Sequence, residues 1–284
     1  MVPPIQLLRE LMLGSPFQPA TNLWRAVELD AVLRHGLPIG RGLDLGCGDG
    51  KLTTLISRAL GPGGAQIEWV GVDLDPAETA QARASGLYAR VHTGSAALIP
   101  EPDACLDFVF SNSVLEHIGP IDEVLAEASR LLKPGGRFIC TVPGPQFHEC
   151  LAGPWWPGGS RPDYEREIDV RCAHLRYWSD AEWAEHLQSQ GLVLEVTQPY
   201  LSQRQVQRWE AISAWTGGLA YRVFGRHARP IEIQRRLQLR NERPGFAGRV
   251  GALSSRFFAL GCPLDSAHTD TRHGCLLLDA RKTN

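Results

Sequence analysis

The residues Gly42-Leu43-Asp44-Leu45-Gly46-Cys47-Gly48-Asp49-Gly50 join an apolar run ending in an acidic residue to three closely spaced glycines. That pattern predicts a strand that turns tightly into a helix. Glycines there let the backbone approach a ligand with no Cβ in the way, and the helix start offers free N–H groups, so the chemistry is binding of a nucleotide-like cofactor. Two phosphate-binding patterns do not fit. A dinucleotide fingerprint needs a small residue where Lys51 stands, and a P-loop needs Ser or Thr after Gly50-Lys51, where the chain has Leu52. A second acidic residue, Asp73, follows the apolar run Trp69-Val70-Gly71-Val72. Asp75, just before Pro76, suits a helix N-cap better.

A third segment, Leu106 to Ile118, contains the apolar strand Leu106 to Phe110 and then Ser111-Asn112-Ser113-Val114-Leu115-Glu116-His117. Helical periodicity from Glu123 to Leu132 leads into Lys133-Pro134-Gly135-Gly136-Arg137 and the strand Phe138 to Val142. In this order, over roughly residues 40–143, the motifs resemble the class I S-adenosylmethionine-dependent methyltransferases, in particular the small-molecule, methyltransferase type 11-like branch. The resemblance implies an α/β fold: a Rossmann-like, seven-stranded, mostly parallel sheet with helices on both faces. It implies S-adenosyl-L-methionine as cofactor and S-adenosyl-L-homocysteine as product. It also implies that Gly46, Cys47 and Gly48 receive the donor's amino-acid part, Asp44 assists its ammonium and Asp73 accepts the ribose hydroxyls. Ser95 takes the place of the acidic residue that commonly meets the adenine amino group, with Leu74, Ala96 and Asn112 also beside the donor.

The elements that must position these residues follow from periodicity. Strands are predicted near 41–46, 67–73, 88–93, 106–111, 137–142 and 192–196, with Gly274 to Ala280 as the seventh, and helices near 50–60, 77–86 and 120–132. Ser179 with Glu182 forms a capping box that opens another helix. Thr21 to Arg34 reads as an amphipathic helix capped by Thr21 or Asn22, with Leu23, Val27 and Ala31 on one stripe. The expected organisation is an N-terminal lid at 1–40, a core at 41–200 plus 272–284, and a basic, mainly helical insertion at 201–271 before the last strand. Within the insertion, 205–215, 218–224, 230–239 and 246–260 are the helical candidates.

The acceptor side carries weaker signals. His117, His148 and His174 are candidate general bases, since an imidazole is matched to neutral pH. Phe17, Arg25, Glu149, Trp155, Trp156, Tyr164 and Tyr177 are candidate substrate contacts, most of them in the aromatic loop at 144–176. The tetrad by which base-modifying DNA methyltransferases grip a flipped amino group is missing after Ser111, as are the metal triad of the catechol-type branch and the glutamate pair of the arginine methyltransferases.

Composition narrows the class. The 284 residues are 43% hydrophobic with a net charge of -2, ordinary for a globular protein. Residues 201–284 hold fourteen Lys or Arg against six Asp or Glu, a basic segment attached to an acidic remainder. Such asymmetry fits either contact with an anionic partner or mutual neutralisation of the two parts. Seven cysteines without a C-x-x-C pair suit reduced thiols, and nine histidines without metal-ligand spacing predict no metal site. No run reaches the roughly 18 apolar residues of a membrane span. The expectation is a cytoplasmic enzyme that methylates a small molecule (a natural product, sugar or lipid-linked metabolite) on oxygen or nitrogen. Peripheral contact with an anionic membrane surface through the basic segment stays open, no nucleic acid is expected, and oligomeric state is undetermined. The alternative is a catalytically weak protein of this fold that acts as a binding or regulatory partner.

Overall fold

The computed structural model describes residues 2–154, 158–216, 246–267 and 270–283. Seven strands form a single sheet: β1 (Gly40–Leu45), β2 (Ile67–Asp73), β3 (Tyr88–Thr93), β4 (Leu106–Asn112), β5 (Leu132–Pro143), β6 (Leu192–Ser202) and β7 (His273–Lys282). Their order is β3-β2-β1-β4-β5-β7-β6. The first five run parallel, and β7 is antiparallel to both β5 and β6. Chain order reverses between β1 and β4. That switch point opens a crevice at the carboxyl ends of the strands, which is where the glycine turn lies.

The described helices are α1 (Pro4–Gly14), α2 (Pro19–His35), α3 (Lys51–Ala59), α4 (Pro76–Ala84), α5 (Ile121–Leu131), α6 (Phe147–Cys150), α7 (Arg161–Cys172), α8 (Asp180–Ser189), α9 (Gln203–Trp215) and α10 (Phe246–Phe258). Alternating strand residues divide the core between the two sheet faces, as a period of two requires. Trp69, Phe108, Phe110 and Ile139 pack with Leu23, Val27 and Ala31 of α2. Val70, Val72, Val109 and Phe138 pack with Val124 and Ala128 of α5 and Trp183 and Leu187 of α8. Asp75 caps α4 by accepting the Ala77 N–H at 2.9 Å, and Ser179 with Glu182 forms the capping box of α8.

Three features differ from the sequence reading. α2 begins at Pro19, before Thr21 and Asn22, with Pro19 at its first position where no N–H is needed. Asn22 lies inside the helix and its Nδ2 donates to Ser15 O at 2.7 Å, tying α2 to the turn before it. Nor is α2 amphipathic in the sense expected: Ala26 to Val32 are all buried, because α1, α9 and α10 cover the face turned away from the sheet. Third, β5 starts at Leu132 rather than 137. Leu132 pairs with Leu106, and the register then shifts across the Pro134-Gly135-Gly136 bend before Phe138 pairs with Val109.

The predicted boundary at 200/201 falls inside β6, and α9, the first helix beyond it, buries Val206, Trp209 and Ile212. α9 packs on α2 and so belongs to the wall over the sheet. The helical candidates at 218–224 and 230–239 lie outside the described residues.

Candidate functional site

The glycine turn is fastened to β2. Gly46 and Cys47 donate their N–H groups to Val72 O at 2.9 and 3.0 Å, and Gly48 N–H donates to Asp73 Oδ2 at 2.9 Å. Gly46 has φ +83°, and a Cβ there would come within 2.5 Å of Val114. Gly48 has φ +52°, and a Cβ would meet only Glu78 Oε2, at 4.0 Å. The first glycine is required by packing and the second leaves open space over the backbone. Asp73 Oδ1 accepts the Asp75 N–H at 2.9 Å, so each carboxylate oxygen is aimed by one backbone N–H and keeps a second lone pair. Two such oxygens at a strand tip beside an open glycine fit a ribose diol.

Asp44 is buried beneath the turn. Its Oδ2 accepts Thr53 Oγ1 and Tyr88 OH, both at 2.6 Å. Burial pushes its carboxyl up to about 6, against the pull of those two hydroxyls and with the Asp73 charge adding to the rise. Burial also pushes the Cys47 thiol far up, so Cys47 packs and does not react. Leu74 is 73% exposed, and Ser95 and Ala96 stand in the turn after β3 on the same side as Asp73.

Next to the turn, Glu28 of α2 gathers four side-chain partners. Its Oε2 accepts Arg25 at 2.5 Å and Asn112 Nδ2 at 2.9 Å, and its Oε1 accepts Ser113 Oγ at 2.5 Å and Tyr200 OH at 2.9 Å. Burial alone would raise this carboxyl; the Arg25 guanidinium and the Ser113 and Asn112 donors hold it below the usual carboxylate range. Asn112 is completed by Thr141, whose Oγ1 donates to Asn112 Oδ1 at 3.1 Å. Asn112 therefore spends its amide on Glu28 and Thr141.

The opposing segment is zipped to the end of β4. Leu175 N–H donates to Glu116 O at 2.9 Å, His117 Nδ1 donates to Ala173 O at 2.9 Å, and the Arg176 guanidinium binds the Leu115 and Ile118 carbonyls. Ser113 and Ala173, with φ +49° and +58°, are non-glycine residues in left-handed backbone at either side of this seam. With its proton on Nδ1, neutral His117 carries its lone pair on Nε2. Tyr177 OH donates to Asp169 Oδ1 at 2.5 Å and accepts from His174 Nδ1 at 3.0 Å, which leaves the His174 lone pair on Nε2 as well. Burial pushes His174 down to about 3, with His117 and His148 adding to the shift. The His117 and His174 rings lie 5.6 Å apart.

Between these walls is a cavity of about 680 Å³. Asp44, Gly46, Gly48, Phe17, Trp24, Arg25, Asn112, Glu116, His117, His174 and Trp209 are among the residues on its lining. It joins the glycine turn to α2, to the end of α7 and to α9. Apolar surface with a few convergent polar groups at a sheet switch point is the form of a small-molecule site.

Other candidates lie elsewhere. His148 is off the lining; its Nε2 bonds Asp169 Oδ1 at 2.7 Å, behind Tyr177. Tyr177 is likewise one layer back, stacked on Phe147 at 5.5 Å. Glu149 points to the surface and pairs with Arg272 at 3.1 Å. Tyr164 is buried with its hydroxyl on Glu210, a carboxylate that also accepts the Ala152 and Gly153 N–H groups. Trp155 and Trp156 lie outside the described residues. Among the described residues, no group of three or more His, Cys, Asp or Glu could hold a metal ion.

Glu28, Tyr200 and Ser113 escaped the sequence reading. A glutamate at i+3 from Arg25 reads as a solvent-facing helix pair. Only its setting between Val27 and Leu29 could have flagged it.

Residues 43–140 match a family model described as a methyltransferase domain. A probable S-adenosylmethionine-dependent methyltransferase of Mycolicibacterium smegmatis is 29% identical over 155 residues, 55% of this chain and 52% of that protein. The demethylmenaquinone methyltransferase of Symbiobacterium thermophilum is 37% identical over 112 residues, 37% of this chain and 43% of that protein. The chain thus spans about half or less of the length of these relatives. Among solved structures, the putative methyltransferase bound to the Haloferax volcanii Trm112 activator superposes with a TM-score of 0.56 at 17% identity, covering 97% of this chain and 98% of that one. A putative sarcosine dimethylglycine methyltransferase from Galdieria sulphuraria gives 0.51 at 19% identity, covering 92% and 83%. At such identities the superpositions show a common fold.

Proposed function

We propose that the chain, whose residues 43–140 match a methyltransferase domain, is a class I S-adenosylmethionine-dependent methyltransferase that transfers a methyl group to oxygen or nitrogen of a small-molecule acceptor. The observation that carries this reading is the cavity of about 680 Å³ that runs from the glycine turn to His117 and His174. When bound, the donor supplies an electrophilic methyl on a sulfonium. The protein's part is then alignment and exclusion of water.

Gly46, Cys47 and Gly48 bring backbone to the donor's amino-acid end, with Asp44 beneath them. Asp73 accepts the ribose hydroxyls, and Leu74, Ser95 and Ala96 flank the adenine. The Glu28 cluster sets the floor through Asn112 and Ser113. Phe17, Trp24, Arg25 and Trp209 enclose the acceptor, and His117 Nε2 takes its proton, with His174 held neutral beside it. His148 and Tyr177 act one step back by fixing Asp169 and His174.

The basic segment is read as a lip for peripheral membrane contact. Leu253 and Phe257 of α10 are 78% and 67% exposed beside Arg249 and Arg256. Among the described residues no helix is long and apolar enough to cross a membrane.

The test is calorimetric titration with the donor, followed by transfer of an isotopically labelled methyl to a panel of alcohols, phenols and amines. Donor binding with labelled product that requires His117 supports the reading. Donor binding without transfer to any acceptor favours the binding-partner alternative, and no donor binding removes the reading altogether.

A further inference from the structure

Helix α10 is built the wrong way round for a helix that packs only on its own chain. Gly248, Gly251, Ala252 and Ser255 are among its buried positions, while Val250, Leu253 and Phe257 are exposed, as is Leu260 just past its end. An amphipathic helix ordinarily turns its large apolar residues inward and its small and polar ones outward. Val250, Leu253 and Phe257 stand three and four residues apart, so they form one stripe along the helix. An apolar stripe left in solvent marks a surface for a partner.

The packing of α10 carries that stripe to the cavity. A Cβ at Gly251 would stand 2.8 Å from Met12 O and from Pro16 Cβ, so α10 lies directly on the residues that precede Leu13 and Phe17. Arg208 of α9 donates to the Phe257 and Phe258 carbonyls at 2.9 and 2.8 Å, which ties the last turn of α10 to the helix that ends at Trp215. Leu13, Phe17 and Trp215 are themselves exposed. Phe17 also belongs to the cavity lining, and so does Thr216, which follows Trp215. The exposed apolar surface therefore leads from α10 to one edge of the cavity.

Charge selects the partner. α10 carries Arg249 and Arg256, both exposed, and no acid. The single acid of α1, Glu10, is paired with Arg58 at 3.1 Å. A second copy joined through this face by a two-fold axis would bring arginines to arginines with no acid on α10 to meet them. A bilayer with anionic headgroups offers the complement: an apolar interior for Leu253 and Phe257, and phosphates at the depth of the guanidiniums.

We propose that the α10 stripe seats the chain on an anionic bilayer with the Phe17 edge of the cavity turned to the lipid, so that the acceptor is an amphiphile taken from that bilayer. This inference rests on the methyltransferase reading; it makes the lip the entrance to the cavity and names the acceptor class.

The test uses the full chain saturated with S-adenosylhomocysteine. In flotation it binds vesicles of equimolar phosphatidylcholine and phosphatidylglycerol more tightly than vesicles of phosphatidylcholine alone. Leu253→Ser combined with Phe257→Ser weakens that binding roughly tenfold or more and leaves S-adenosylhomocysteine affinity unchanged. Arg249→Gln combined with Arg256→Gln weakens it roughly ten- to thirtyfold, on the anionic vesicles only. Brominated lipid quenches a part of the tryptophan fluorescence that Trp215→Phe removes, which places the cavity edge against the acyl chains. In solution para-octylphenol binds the same complex roughly tenfold or more tightly than phenol, and Phe17→Ser removes most of the difference. No flotation, flotation unchanged by the paired serines, no quenching of Trp215, or an octylphenol preference unchanged in Phe17→Ser overturns the inference. Self-association that the paired serines abolish assigns the stripe to a second copy and overturns it too. Failure of S-adenosylhomocysteine itself to bind overturns the methyltransferase reading beneath it.

Discussion

Glu28 and Glu116 are both withdrawn from solvent, 0% and 1% exposed, yet they are held in opposite electrostatic states. Glu28 is surrounded by Arg25, Asn112, Ser113 and Tyr200, and these partners keep it ionised. Glu116 sits in a seam built from backbone contacts, its Oε2 has no partner, and burial dominates. Burial therefore does not decide the charge of a carboxyl here; the donors around it do. The floor around Glu28 has both carboxylate oxygens satisfied. At the wall, Glu116 Oε2 and Arg171 Nε are buried without a hydrogen-bond partner.

The sharpest way to break this contrast is Glu28→Ala. It strands the Arg25 guanidinium and takes acceptors from Asn112, Ser113 and Tyr200 at once, so it should cost about 3–5 kcal/mol of stability. Urea denaturation measures it; a loss under about 1 kcal/mol would mean that the floor is not held by Glu28.

Glu116→Gln should have the opposite sign. The folded-state value of Glu116, about 8, lies above its ordinary value of 4.5, so the folded chain holds the extra proton between those limits. Stability then falls as pH rises from about 4.5 to 8, at up to about 1.4 kcal/mol per pH unit. The glutamine variant lacks that loss and should be more stable than the parent at pH 8 by a few kcal/mol. Parallel stability-versus-pH curves for the two proteins would show that Glu116 is not held neutral.

Tyr177→Phe should have the smallest effect. It removes the oxygen that receives His174 Nδ1 and the donor to Asp169, at a cost of about 1 kcal/mol. In the parent protein His174 should show no titration in its imidazole NMR signals between pH 5 and 8. A midpoint near 6.5 would place its ring in water and dissolve the second layer behind the wall.

Much of the glycine-turn side was legible from the chain, because it is built from short local segments. The run from Gly42 to Gly50 and the run from Trp69 to Pro76 each contain their own strand, turn and helix start, and β1 and β2 are adjacent parallel strands. The acceptor side was not legible in the same way. Asn112 meets Glu28 across 84 residues and Tyr200 meets Glu28 across 172. Tyr164 and Glu149, plausible pocket residues by type and position, turn instead to Glu210 and Arg272. An aromatic or acidic residue in a loop does not reveal which way it points.

What the sequence by itself determined was therefore the sheet and the glycine turn, since strand period, glycine spacing and caps are local properties of the backbone. Which carboxyl is charged, which arginine is unpaired and which histidine is neutral were decided only by the tertiary structure. Those properties depend on desolvation and on partners brought from distant parts of the chain, and neither is encoded in spacing along it.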